Sequence, residues 1–179
     1  MAAISKRIIQ KYFKRGDNAS TTTEQGKALE DLVCYIFQKL PGITVTRRNK
    51  KNTFHTEEID VAFWNDQHPN GVPFLPNVIL VECKNWSKAV GSEQVNWFDS
   101  KLKNRGLSFG ILIATNGITG NSQDITDAHS VIANALRDSR QLIVISKNEL
   151  LSLSSTVDLV LLIKEKLCDL AVQGTALTS

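Results

Sequence analysis

Cysteine is scarce in this 179-residue chain, and its three copies form no C-x-x-C pair. Cys34, Cys83 and Cys168 are far apart and odd in number. That spacing suggests neither a disulfide frame nor a zinc site. Each lies in an apolar run, where cysteine is usually a small core residue, and a reducing cytoplasm is the expected compartment. Long hydrophobic runs are also missing. The longest near the end, residues 159–163, is too short to span a bilayer. The first residues lack the apolar stretch of a signal peptide, so no membrane partner is expected. The histidines, His55, His68 and His129, show no H-x-x-x-H spacing. His129 should pack or face solvent on a helix, and His55 should be a surface residue unless it contacts phosphate. There is no G-x-x-x-x-G-K-[ST] loop for a nucleotide and no G-x-S-x-G or Cys–His pattern for acyl transfer. Neither an internal repeat nor a low-complexity stretch is present.

What remains is an ordinary globular composition, 42% hydrophobic and 22% charged. The length fits one domain with a real core, taken as residues 1–179. Within it, 1–21 form an N-terminal helix and loop, 22–151 the core, and 152–179 a C-terminal helix and tail. A formal net charge of +3 is too small to identify a nucleic-acid partner, so the placement of charge must carry that question.

Helical periodicity begins at residues 3–15, with Ile4, Ile8, Ile9, Tyr12 and Phe13 on one face. Thr21-x-x-Glu24 is a capping box, so a second helix should start near Thr22 and stop by Pro41-Gly42. Strands are expected at 43–48, 57–64 and 78–84, joined by loops too short for crossover helices, hence an antiparallel meander. The polar stretch 49–52 reads as a turn. Beyond the meander, Ser92 should cap a helix, 107–115 should be a buried strand, Ser122 should cap another helix, and 141–145 should be a last strand. A short helical turn at 147–151 and an amphipathic helix at 156–172 close the chain. The order implies a mixed sheet with helices on both faces, an α/β architecture of three layers.

One stretch stands out. The run from Val78 is apolar and β-branched, as in a buried strand, and it ends in Glu82-Cys83-Lys84. Glu82 and Lys84 are two residues apart, so on a strand they share a face and Cys83 takes the other. Burying either charge alone would be costly. The preceding strand carries Asp60, and adjacent strands bring Asp60 and Glu82 together. Two carboxylates at short range repel unless a cation lies between them. Hard oxygen ligands favour Mg²⁺, or Mn²⁺ in its place. Such a site polarises a phosphoryl oxygen, and Lys84 could position water or stabilise charge on the phosphorane. Glu30, four residues after Gly26 on the second helix, borders the apolar stripe and can reach a buried site.

Ile59-Asp60 with Val81-Glu82-Cys83-Lys84 resembles the PD-(D/E)xK nuclease signature. With the helix Gly26-Lys-Ala-Leu-Glu30 and the element order, it is similar to the Mrr-like restriction endonucleases over roughly residues 24–151. The resemblance implies a restriction-endonuclease-like α/β/α fold and a Mg²⁺-dependent endonuclease acting on DNA, with a possible role in defence against foreign DNA. It implies that Asp60, Glu82 and the backbone carbonyl of Cys83 hold the metal, that Glu30 assists it, and that Lys84 is the catalytic lysine. Gln94 corresponds to a glutamine on the helix after the motif strand. Glu stands at 82 where Mrr-type proteins often have Gln, and Ile59 stands where the signature has Pro. The extra recognition domain of many relatives has almost no room here, which puts sequence-specific recognition in doubt.

Arg47, Arg48, Lys50 and Lys51 before Asp60, and Lys88, Lys101, Lys103 and Arg105 after Lys84, make a basic rim suited to phosphate backbone. Trp86 and Trp97 are expected to pack, as tryptophan mostly does, with base stacking the alternative. Cutting both strands of a duplex is simplest for a homodimer; a partner protein of a defence system is a further option. Two other readings stay open: a non-catalytic nucleic-acid-binding subunit on a nuclease fold, and a structure-selective nuclease such as a junction resolvase or an RNase.

Overall fold

A computed structural model describes residues 2–51, 58–123 and 125–176. His55 and the tip of the first hairpin lie outside the described residues. Eleven elements follow one another: α1 (Lys6–Asp17), α2 (Thr22–Phe37), β1 (Ile43–Lys51), β2 (Glu58–Asn65), β3 (Val78–Lys84), α3 (Ser92–Lys103), β4 (Phe109–Ala114), α4 (Asp127–Arg137), β5 (Gln141–Ile145), α5 (Lys147–Ser152) and α6 (Thr156–Gln173).

The strands form one sheet in the order β1-β2-β3-β4-β5. The first three pair antiparallel, and β4 and β5 add parallel through α3 and α4. Parallel strands need such crossovers, whereas the meander does not. Along β3, residues 79–83 are buried on both faces, as a central strand requires. Gly110 on β4 allows α3 to approach. A Cβ there would stand 2.7 Å from both Leu102 and Phe98. On the opposite face α2 packs against β2 and β3, and Phe37 stacks on Phe63 at 5.2 Å between ring centroids. Helix α1 lies on α2, and α6 covers β5. The result is a sheet flanked by helices on both sides.

Local signals set most boundaries. Thr21 accepts the Glu24 amide at 3.2 Å and starts α2 at Thr22. Several boundaries differ from the sequence reading: Ser92 is the first residue of α3, with Gly91 at the cap position, and β4 is shorter than 107–115. The first helix begins at Lys6, not residue 3, because the Ile4 N–H donates to the Ser154 carbonyl and Ala3 bridges Ser155. The basic stretch through Lys51 is strand, not turn: β1 absorbs an irregularity between Val45 and Arg47 and keeps pairing with β2. Helix α4 starts at Asp127, not Ser122. Gly120, at φ 100°, passes so close that a Cβ would sit 2.4 Å from the Thr126 carbonyl. The Thr126 hydroxyl then accepts the Asn121 amide at 2.9 Å, which holds this stretch as a loop. No described helix is long and apolar enough to cross a membrane.

Candidate active site

Two strands supply the floor of the site. The β2–β3 register pairs Val61 with Val81, and continuing it by one residue sets Asp60 across from Glu82. The Asp60 carboxylate is tied down by the Cys83 amide, which donates to Oδ2 at 2.7 Å. Glu82 is only 4% exposed. Its Oε1 meets Lys84 Nζ at 2.8 Å, and its Oε2 meets Lys101 Nζ at 2.7 Å. Lys84 comes from the same face of β3, two residues on; Lys101 reaches over from the third turn of α3. All four charged groups open onto one cleft of about 560 Å³, lined also by Glu58, Trp97 and Ser100.

Electrostatics in the cleft follow from this crowding. Burial, and then the neighbouring Glu82 carboxylate, push Asp60 up to about 6. The Cys83 amide, Lys84 and Lys101 pull the other way without prevailing. For Lys84, burial opposes the ammonium, but the Glu82 carboxylate outweighs it and the lysine is raised. Burial drives the Cys83 thiol well above its ordinary value. Side chains alternate along a strand, so the Cys83 thiol takes the face opposite Glu82 and Lys84. Cys83 is a protonated spacer, and its amide rather than its sulfur serves the site.

Asp60, Glu82 and Lys84 are therefore brought together. Glu30 is not among the residues lining the cleft. It is 9% exposed on α2 and faces Arg48 Nη2 at 3.4 Å. Arg48 sits opposite Val61 on β1, and its guanidinium also meets Asp31 at 2.7 Å. This guanidinium, expected on a phosphate-binding rim, is thus engaged by two acids of α2. Arg47 and Lys50 are exposed on the edge strand β1, Lys51 ends that strand, and Lys88 is exposed in the β3–α3 loop. Gln94 is half-buried in the first turn of α3, and its amide donates to Glu93 at 3.3 Å. It is not a cleft-lining residue, but it precedes Trp97 and Lys101 at helical spacing on one face.

Packing of both tryptophans is not what the structure shows. Trp97 is 60% exposed and Trp86 36%. His129, in contrast, is buried, with Nδ1 3.1 Å from the Thr175 hydroxyl. Cys34 and Cys83 are buried, while Cys168, expected in the core, is exposed on α6. The residue whose role the sequence reading missed is Lys101. It stood there as one of several rim lysines, and only its spacing from Gln94 and Trp97 hinted that it points at the motif strand.

The donor set suits a hard divalent cation. Two carboxylates on one cleft, one of them raised by burial and by its neighbour, call for positive charge. Two ammonium groups supply it here, at the oxygens of Glu82. Among the described residues no three His, Cys, Asp or Glu side chains converge.

A family model of the Mrr catalytic type, described as restriction endonuclease, matches residues 22–153. No match was found among curated proteins. The matched span runs from the start of α2 past α5 and contains every cleft residue. With most of its length inside that match and its acids and lysine meeting at the end of β3, the chain belongs to the Mrr-like restriction endonuclease family.

Proposed function

We propose that the protein is a Mg²⁺-dependent endodeoxyribonuclease and that the β2–β3 cleft is its hydrolytic site. The observation that carries this reading is Glu82, buried between Lys84 and Lys101 beside a raised Asp60 and open to solvent space. Asp60, Glu82 and the carbonyl of Cys83 would hold the ion, with Mn²⁺ able to replace Mg²⁺. When bound, the ion supplies a Lewis acid for a phosphoryl oxygen and for the attacking water. Lys84 orients that water and meets charge that grows on phosphorus. Lys101 neutralises Glu82 from the helix side. Glu30 stands one layer back, where it orients Arg48. Gln94 borders the substrate path.

Arg47, Lys50, Lys51 and Lys88 would contact the DNA backbone, giving salt-sensitive binding. Duplex cleavage by a homodimer and a role in defence, alone or with a partner protein, belong to the same reading. The biological role rests on the family resemblance alone. A cytoplasmic setting accords with the free cysteines.

The deciding experiment is cleavage of linear duplex, single strand, four-way junction and RNA, each with Mg²⁺ and with chelator. Metal-dependent cutting of DNA is expected. Salt-sensitive binding without cutting would favour a non-catalytic subunit, and preference for the junction or RNA would favour a structure-selective nuclease. Sedimentation with and without DNA tests the dimer; a monomer in both conditions removes it.

A further inference from the structure

Trp97 has an unusual setting for its size. On α3 the residues Val95, Phe98 and Leu102 turn inward and are buried, while Trp97 points into the acidic cleft at 60% exposure. Among the described residues no aromatic ring or cation packs on its indole. It lies four residues before Lys101, just over one helical turn or about 6 Å along the axis. Lys101 itself touches Glu82. A large apolar face therefore lines the same cleft as the acid–lysine floor. The cations of the same cleft, Lys84 and Lys101, suit a phosphate beside it.

We infer that Trp97 is a stacking platform for an unpaired nucleobase next to the scissile phosphate, so that the preferred substrate carries a single-stranded or extruded nucleotide at the cut. This inference rests on the nuclease reading above and gives it a substrate class. In an intact duplex both faces of an internal base are covered by its neighbours. An indole can stack only where a base is unpaired, terminal, in a flap or flipped out. Every base offers a π-face, so the subsite is tolerant of sequence. Trp86 plays a different part. Its ring lies 5.7 Å from Lys84 Nζ, and its backbone carbonyl is held by Asn116 and Thr115. It steadies the lysine instead of offering a free face.

The test is the affinity of the full chain, without divalent metal, for a labelled single strand, a blunt duplex, and a duplex bearing a short flap. Fluorescence anisotropy gives each affinity for wild type, Trp97→Ala and Trp97→Phe, with circular dichroism verifying the fold. Truncating a stacked aromatic typically weakens binding by roughly five- to a hundredfold. That loss is expected for single strand and flap with Trp97→Ala, with less than twofold change for duplex and recovery in Trp97→Phe. Equal losses on all three ligands, a loss on duplex alone, or no loss overturn the subsite. If wild type binds none of the three, the subsite is overturned, while the cleavage panel above decides the nuclease reading separately.

Discussion

Among the described residues, the buried glutamates Glu149 and Glu82 each meet lysine, and they differ in what surrounds them. Lys166 of α6 and Glu149 of α5 are 5% and 8% exposed and contact each other directly. Glu149 also accepts the Ser146 amide at 2.7 Å in a capping box. The acid and the ammonium meet in a sealed place. Glu82 is as deeply buried, yet it meets two ammonium groups, has a second carboxylate across the strand pair, and faces a cleft. The first arrangement anchors a helix. The second gathers more charge than structure alone requires and leaves it reachable, which is the condition for chemistry on a charged substrate. A buried ion pair says little about function until its charge balance and its access are both known.

Breaking each pair should separate these roles. Lys166→Met removes the ammonium beside a buried carboxylate and should cost about 3–5 kcal/mol of stability in denaturant unfolding. Cleavage per folded molecule should not change, and a large loss of it would erase the distinction. Glu82→Ala should lower Mg²⁺-dependent plasmid cleavage by about a hundred- to a thousandfold while the circular dichroism spectrum stays that of the folded chain. Asp60→Asn should abolish cleavage and yet stabilise the protein at pH 8. The folded state holds the Asp60 proton to about pH 6, against an ordinary value of 3.8. Stability linked to this group is therefore greatest at low pH, falls as pH rises between about 4 and 6, and is flat above. The shift corresponds to about 3 kcal/mol at most at neutral pH. The Asn variant should gain about 1–3 kcal/mol at pH 8 and lose that part of the pH slope in urea melts at several pH values. Mg²⁺ should raise the melting temperature of wild type above pH 6 but not of Asp60→Asn, because the ion favours the charged carboxylate. Smallest in effect, Lys101→Met should slow cleavage by about tenfold with stability within about 1 kcal/mol, since Lys84 still partners Glu82.

The parts of the site legible in the sequence were those fixed by local periodicity. Glu82 and Lys84 share a face because strands alternate, and Asp60 meets them because an antiparallel meander pairs neighbouring strands. The mixed sheet followed from the order of strand and helix signals. Lys101 was hidden because its approach to Glu82 depends on how closely α3 lies on the sheet, which Gly110 of the neighbouring strand β4 permits and no local pattern around the motif announces. The contact that Glu30 makes with Arg48 was hidden for a matching reason. Its helix position makes it available to a buried site, but the register of β1 delivers Arg48 to it first. The late start of α4 turns on a hydroxyl–amide contact and a close backbone approach, which composition does not announce. The exposure of Trp97 runs against the general burial of tryptophan and shows only once the inward face of α3 is known.

The most direct measurement is nicking and linearisation of supercoiled plasmid by wild type and Lys84→Ala, each with Mg²⁺ and with chelator. Cutting by wild type with Mg²⁺ alone, and loss of it in the variant at unchanged fold, is the expected result. Equal cutting by Lys84→Ala, or wild-type cutting that persists in chelator, would contradict the assignment of the β2–β3 cleft as a metal-dependent hydrolytic site.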